Sequence, residues 1–222
     1  MFNIARKQWK WKIANPVSDI ELPRVNNERV RYLKSDEYEH LFDSLETAEE
    51  KWLNPYVIVA IDTGLRLNNV CELMRPEVDL ANRRIPKASE VMKNDEYLGI
   101  PLTKRAYEIL KELLKVPCVT GHVFHDGGQP LYDRKIQRAL KRALKQAKIT
   151  NFHVHDLRHT FASYLRQAGV DLHTIATLLG HKDLRMTKRY AHLNVDSLRS
   201  AVSKLNITFL SRSDGEAHAE NV

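Results

Sequence analysis

The side chains best suited to chemistry lie in the last third of the 222-residue chain. His155 and Arg158 are three positions apart, His181 follows a Leu-Gly pair, and Tyr190 comes nine positions later. Arginine stays protonated at any working pH, and its planar fork matches two phosphate oxygens. A tyrosine hydroxyl becomes a nucleophile when a base and a cationic field make its ionisation easier. The pattern therefore indicates a site that holds a phosphodiester and attacks it with a phenol.

Two further motifs upstream carry cations. Arg66 ends the run Thr-Gly-Leu-Arg, and Lys93 lies in Met-Lys-Asn-Asp, eight residues before Pro101. A phosphodiester gains negative charge on its non-bridging oxygens during attack, so fixed cations aimed at those oxygens stabilise the transition state. Arg66 and Arg158 are the candidates for this clamp. A departing oxygen also needs a proton, which a lysine with a lowered pKa can supply.

In their order and spacing these six residues resemble the catalytic domain of the tyrosine recombinases, the phage integrase family, over roughly residues 28–207. The resemblance implies an α+β fold that is mainly α-helical with a small three-stranded antiparallel sheet. It implies that Tyr190 is the nucleophile and that His181 donates a hydrogen bond to a non-bridging oxygen. It also implies that Lys93 protonates the departing 5′ oxygen, with Lys87 as the alternative. His155 is expected to act as the base near Tyr190. The activity implied is DNA cleavage and rejoining through a 3′-phosphotyrosyl intermediate, for integration and excision of a prophage or mobile element.

The resemblance also implies partners, and it has one departure. The expected partner is double-stranded DNA with recombination sites, bound by a homotetramer that is a monomer in solution, together with accessory DNA-bending or excision factors. No cofactor, metal or membrane is expected, and the setting is the bacterial cytoplasm. The departure is Asn69, because the family commonly has Glu or Asp three residues after the first arginine. An amide still forms hydrogen bonds but brings no negative charge to support Arg66.

Three alternative functions use the same residues. A type IB topoisomerase-like enzyme would relax supercoils, although the short hairpin and the Leu-Gly-His block favour a recombinase. A metal-dependent hydrolase would use the four imidazoles of His153, His155, His159 and His181. Cleavage that survives EDTA would eliminate the hydrolase. A DNA-binding module without catalysis would bind a suicide substrate and form no covalent adduct.

Composition sets broad limits on the class of protein. The formal net charge is +7 and the pI is about 9.4, which favours an anionic partner. Cys71 and Cys118 are far apart and lack metal-site spacing, so neither a disulfide framework nor a thiolate zinc site is predicted. An apolar fraction of 43% is enough for a buried core. The longest apolar run, near residues 56–61, is far shorter than the ~20 residues of a membrane span.

The chain divides into three parts by its patterning. Residues 1–27 contain Asn-Pro and Leu-Pro pairs and are predicted to be a linker and the remnant of an N-terminal DNA-binding domain. Residues 28–207 form the catalytic domain, and residues 208–222 are predicted to be a disordered tail. The segment from Val195 to Leu205 is amphipathic and is expected to contact a neighbouring protomer.

Helical periodicity marks the elements that position the site. Helices are predicted to begin at Asp36, capped by Ser35, and at Trp52, Thr103 and Asp133, with a small hairpin between residues 79 and 102 carrying Lys93 at its tip. Gly169 and Gly180 are predicted as helix C-caps. On the helix near His155, His159 shares the face of Arg158 and is expected to bond to backbone or a neighbouring carboxylate.

The helix predicted over residues 133–148 is the most basic in the chain. Its apolar side carries Ile136, Leu140 and Leu144, and lysines and arginines occupy much of the rest. A solvated face that balances an apolar one explains this pattern, and so does a surface laid against DNA phosphates. On the second interpretation the DNA-binding residues are Lys135, Arg138 and Lys182.

Overall fold

The structure of the protein is a computed structural model, and it describes residues 2–12, 30–86, 99–181 and 183–193. The α-helices of these residues are α1 (Phe2–Lys7), α2 (Ser35–Glu46), α3 (Leu53–Thr63), α4 (Leu67–Cys71), α5 (Lys104–Lys115), α6 (Asp133–Gln146), α7 (Val154–Gln167) and α8 (Leu172–Leu179). Short 3-10 helices cover Arg75–Glu77, Leu184–Met186 and Lys188–Leu193. The strands are β1 (Arg84–Ile85), β2 (Ile100–Pro101), β3 (His125–Asp126) and β4 (Gln129–Pro130).

The mainly helical α+β class is confirmed, and the strands form two antiparallel pairs. Strand β1 pairs with β2, and β3 pairs with β4. Within the described residues the strands thus form two two-stranded sheets rather than one of three strands. The β3–β4 hairpin closes through Gly127 and Gly128, whose φ angles of 58° and 85° match a tight turn. The centre of the predicted hairpin between β1 and β2, residues 87–98, lies outside the described residues.

Local capping sets the starts of two helices. Helix α2 begins one residue earlier than predicted, because its N-cap is Lys34 and not Ser35. The Glu37 carboxylate accepts a hydrogen bond of 3.0 Å from the Lys34 backbone N–H, which satisfies a donor that the helix start leaves free. Helix α5 begins one residue later than predicted, because Thr103 is its N-cap and its hydroxyl accepts from the Ala106 N–H at 3.1 Å.

The larger apolar core surrounds α3. This helix packs against α5 and α7, and its side chains Tyr56, Val57 and Val59 are fully buried. Helix α6 adds the apolar face predicted from its periodicity, with Ile136 and Leu140 among its buried residues. Because α3 ends inside this core, the position of the segment from Gly64 to Arg66, which follows the helix, is fixed.

A second, smaller cluster lies between α7, α8 and the final 3-10 helix. Its buried members are Ala162, Ile175, Leu179 and Tyr190. Helix α8 ends at Gly180, which has the φ of 64° predicted for a left-handed C-cap, and the chain turns there towards Tyr190.

The described helices include none that is both long and apolar enough to cross a membrane.

Candidate active site

Helix α7 carries Arg158 into the interior of the domain. The helix starts at the N-cap His153, whose backbone N–H donates to the Asp156 carboxylate at 2.7 Å. Arg158 lies one turn later and is only 6% exposed. Its two terminal nitrogens donate to the carbonyl oxygens of Gly64 and Leu179, each at 2.6 Å. Arg158 therefore joins the C-terminal ends of α3 and α8 through a single guanidinium.

Gly64 is the close contact between α3 and α7. It follows the last residue of α3 with a φ of 62°, and an added Cβ atom would lie 2.3 Å from Cδ1 of Phe161. No side chain fits there without displacing the ring, and L-residues rarely adopt this backbone conformation. The glycine lets the two helices approach closely enough for its carbonyl to reach Arg158.

Arg66 comes two residues after that carbonyl and caps the start of α4. Its side chain is exposed, unlike that of Arg158. The two guanidinium groups are near enough to interact: burial first, and the Arg66 charge second, lower the pKa of Arg158 to about 10. At that pKa Arg158 still carries its charge at neutral pH. The structure thus brings the two predicted clamp residues together.

His155 lies on the first turn of α7 beside this pair of cations. His155 keeps an exposed surface, but partial desolvation of its ring and then the Arg158 charge lower its pKa, and Arg66 and Arg189 act in the same direction. A histidine with a lowered pKa is neutral at physiological pH and is able to accept a proton. Its ring meets the ring of His159 edge-on, with 5.0 Å between centroids.

Tyr190 is buried and its hydroxyl lies against His159, not His155. The Tyr190 oxygen is 2.5 Å from Nδ1 of His159, and Tyr190 is 2% exposed. Burial raises the pKa of Tyr190 to about 12, against the opposing effect of Arg189 and Arg158. Burial, followed by the charge of His155, lowers the pKa of His159 to about 4. The backbone or carboxylate partner expected for His159 is thus replaced by the phenol itself.

His181 follows the α8 C-cap, as predicted, two residues after the carbonyl that Arg158 binds. Its Nδ1 atom lies 2.7 Å from the hydroxyl of Thr187, a residue with no exposed surface. Thr187 belongs to the segment that leads to Tyr190, since its carbonyl accepts from the Tyr190 N–H at 3.0 Å. One short contact therefore links His181 to the turn before Tyr190.

The structure describes some of the remaining predicted site residues and not others. Lys93 and Lys182 lie outside the described residues. Lys135 forms an ion pair with Asp126, and Arg138 is exposed on α6. Asn69 is exposed on α4.

Two residues of the site were not predicted from the sequence. Thr187 orients His181, and Arg189 lowers the pKa values of His155 and His159 while opposing the rise at Tyr190. Arg189 directly precedes Tyr190, so its position beside the phenol was a usable signal. Nothing in the sequence indicated the contact between Thr187 and His181.

A groove of about 840 Å³ runs beside the site, between α6 and the connection to α7. Its apolar floor includes Leu140 and Phe152, and Lys141 and Lys145 line it from α6. His155 lies at its edge. The basic side of α6 thus continues towards the cluster around Arg158. The described residues contain no group of three or more His, Cys, Asp or Glu side chains arranged to hold a metal ion.

The sequence matches known proteins along most of its length. The Phage integrase family profile matches residues 31–196. The integrase of Salmonella phage P22 is 29% identical over 231 residues, covering 100% of this chain and 58% of that protein. Tyrosine recombinase XerC of Staphylococcus haemolyticus is 28% identical over 196 residues, covering 84% of this chain and 65% of that protein. The chain thus spans less than two thirds of either relative.

Solved structures share the fold. The crystal structure of XerA recombinase superposes with a TM-score of 0.63 at 25% identity, covering 86% of this chain and 68% of that one. The Tn1549 transposon integrase in complex with transposon right end DNA superposes with a TM-score of 0.70 at 21% identity, covering 92% of this chain and 75% of that one. At the latter identity the likeness concerns the fold alone.

Proposed function

The chain belongs to the phage integrase family, and from that premise we propose that it is a site-specific DNA recombinase that cuts and rejoins strands through Tyr190. The observation that supports this most is the meeting of two arginines distant in sequence with the tyrosine. Arg158 donates to the carbonyl of Gly64, two residues before Arg66, and to that of Leu179, which lies in the same buried cluster as Tyr190. The Arg66 charge acts on Arg158, and the Arg158 charge acts on Tyr190.

The reaction follows from what these groups can do. Arg66, Arg158 and His181 hold the non-bridging oxygens of one phosphodiester and stabilise the charge that develops on them. The Tyr190 oxygen attacks phosphorus, the bond to the 5′ oxygen breaks, and the 3′ end stays linked to the enzyme. The phenol proton passes to a neutral imidazole, for which His155 is the proposed base, and Lys93 gives the 5′ oxygen its proton. The covalent bond keeps the energy of the broken one, so a 5′ hydroxyl can reverse the step.

Double-stranded DNA is the proposed partner. The Tn1549 integrase of the same fold is solved in complex with DNA, and this chain carries a net charge of +7. Arg138, Lys141 and Lys145 are exposed on α6, and in this proposal they contact phosphates and position the protein without reading bases. Lys135 would have to exchange Asp126 for a phosphate, and Lys182 is proposed to join the same surface.

Integration and excision of a prophage or mobile element is the proposed biological role. Strand exchange between two duplexes needs a protomer at each of four cleavage positions, so we propose a homotetramer on DNA formed from monomers, assisted by accessory bending or excision factors. Light scattering of the protein with and without two-site DNA tests this proposal, with a fourfold mass on DNA as the expected result and a persistent monomer as the contrary one.

The test of Tyr190 uses a duplex from the DNA that flanks the gene, nicked near the cleavage position so that the released fragment diffuses away. The wild-type protein is expected to form an adduct that resists denaturing detergent, and Tyr190→Phe to form none while still binding the duplex.

Tyr164→Phe is the matched control for that substitution. The Tyr164 hydroxyl donates to the Leu33 carbonyl at 3.0 Å and lies on the same helix as Arg158, so its loss removes a phenol without touching the nucleophile. Adduct formation by Tyr190→Phe at the wild-type rate contradicts the proposal.

A further inference from the structure

The hydroxyl of Tyr190 is enclosed in the free protein. Tyr190 and His159 are 2% and 8% exposed, and the oxygen of the first lies 2.5 Å from Nδ1 of the second. Ala162, Ile175 and Leu179 are the buried apolar members of the same cluster. A phosphodiester on the surface of a DNA duplex is a bulky group, so it cannot approach an oxygen that other side chains already cover.

The hydrogen bond holds the proton on the tyrosine. Burial places the pKa of Tyr190 at about 12 and the pKa of His159 at about 4, so neither group ionises near neutral pH. With the ring proton on Nε2, Nδ1 of His159 accepts from the phenol O–H. The wide separation of the two pKa values keeps the proton on oxygen, and a protonated phenol is a poor nucleophile.

The segment that carries Tyr190 packs against α7 and α8 and is built from short helical turns. We call residues 183–193 the tyrosine segment; it consists of two short 3-10 helices. Side-chain contacts of Thr187 with His181 and of Tyr190 with His159 join it to the rest of the domain. Short 3-10 turns have poorer hydrogen-bond geometry than α-helices and open more readily.

We propose that His159 is a positioning residue that holds the Tyr190 hydroxyl, protonated and enclosed, until DNA is bound, and that strand cleavage requires this hydrogen bond to break. The inference rests on the proposed role of Tyr190 as nucleophile. The two neighbouring histidines of α7 thus have different roles. His155 lies beside the arginines and accepts the phenol proton during attack, whereas His159 determines when the phenol is available. The proton leaves Tyr190 only after the hydroxyl has left His159.

The test compares His159→Leu, which removes the acceptor, with His159→Asn, whose amide places a hydrogen-bonding atom near the position of Nδ1. In the first measurement the DNA-free protein is treated with tetranitromethane, and nitration of each tyrosine is mapped by mass spectrometry. His159→Leu is expected to raise nitration of Tyr190 about fivefold, the effect of losing one net hydrogen bond of about 1 kcal/mol. His159→Asn is expected to return it close to the wild-type level.

Tyr164 in the same samples reports on general loosening of α7. Its nitration is expected to be equal in all three proteins. If Tyr164 and Tyr190 both become more reactive in His159→Leu, the substitution has loosened the domain and the proposal is overturned. Unchanged nitration of Tyr190 in His159→Leu overturns it as well.

The second measurement is the single-turnover rate of adduct formation on the nicked duplex at saturating DNA. Loss of the hydrogen bond to Tyr190 is expected to raise this rate about fivefold in His159→Leu. The rate of His159→Asn is expected to stay near that of the wild type. A large fall in both variants means that His159 instead takes the proton during attack, and it overturns the proposal. If the wild-type protein forms no adduct at all, the proposed function fails, and the nitration measurement still decides whether His159 holds the phenol.

Discussion

The cationic half of the site and its nucleophilic half are held by different means. Arg158 is fixed by two backbone carbonyls at 2.6 Å, one at the end of α3 and one at the end of α8. Tyr190 is held by one side-chain hydrogen bond and lies on a six-residue 3-10 helix. The proposed phosphate-binding Arg158 is therefore fixed in the free protein, whereas the hydroxyl of Tyr190, the proposed nucleophile, is bonded to His159. Preorganised cations contribute most to catalysis because they need no rearrangement during the reaction.

The two halves of the site also belong to different apolar clusters. The cationic half is continuous with the large core around α3, whose end supplies the Gly64 carbonyl. The nucleophilic half belongs to the small cluster, in which Tyr190 is itself one of four buried members among the described residues. Phe161 packs against this small cluster and also lies against Gly64, so it joins the two halves.

The largest expected effect comes from Arg158→Lys, compared with Arg66→Lys. An ammonium is a point charge that cannot serve both carbonyls in this geometry, so adduct formation is expected to fall by about 10²–10³-fold. The free energy of unfolding is expected to fall by about 2 kcal/mol, because a buried carbonyl loses its partner. Arg66→Lys is expected to lose similar activity while changing stability by less than about 0.5 kcal/mol, because Arg66 is exposed.

Both substitutions are measured by adduct rates on the nicked duplex and by urea unfolding. Equal stability losses in the two variants would mean that Arg158 does not anchor the cationic half.

The next largest effect is expected at the close contact between Gly64 and Phe161, beside the cationic half. Gly64→Ala is expected to lower the free energy of unfolding by about 2–5 kcal/mol, because it combines an unfavourable positive φ with a clash against Phe161. Gly127→Ala is the matched control, since Gly127 has a φ of 58° with nothing within 4 Å of the added Cβ, and about 1–2 kcal/mol is expected. Urea unfolding of both variants isolates the clash, and equal losses would contradict it.

Acid is expected to weaken the nucleophilic half. The pKa of His159 is about 4 in the folded protein, and an unfolded histidine titrates near 6.5, so the unfolded chain binds the proton more readily. The contribution of His159 to stability is present above pH ~6.5 and is lost as the pH falls towards ~4, amounting to about 3 kcal/mol. Urea unfolding at pH 7.5 and pH 4.5 measures it. His159→Asn is expected to flatten the dependence, and the same slope in both proteins would assign it to other groups.

The smallest effect concerns the contact between the two halves. Thr187→Val removes the hydroxyl that lies 2.7 Å from Nδ1 of His181 and is expected to cost about 1 kcal/mol of unfolding free energy. Thr177→Val is the control, because the Thr177 hydroxyl is exposed on α8 and bonds only within its helix. A melting temperature for each variant checks the difference, which would vanish if the contact does not hold the tyrosine segment in place.

Most helices could be predicted from local sequence patterns, whereas the partners of the site residues depend on how distant segments pack. The apolar face of α6 and the glycine after α3 were predictable, because periodicity and helix termination are encoded within a few residues. The partners of Arg158 lie 94 and 21 residues away in sequence, and His159 meets a tyrosine 31 residues later. No spacing rule indicates such pairs, since they depend on how α3, α7 and α8 pack. The sequence motifs named the cations and the phenol, but not the imidazole that touches the phenol.

The two carbonyls bound by Arg158 have one more consequence. Each belongs to the last turn or the cap of a helix, where aligned peptide dipoles leave about half a negative charge. Two such ends converge on one guanidinium and offset part of the cost of removing it from water, although burial still lowers its pKa to about 10. At a pKa of about 10 Arg158 is still charged at neutral pH, so two helix ends give this buried cation the negative partners that a carboxylate would otherwise supply.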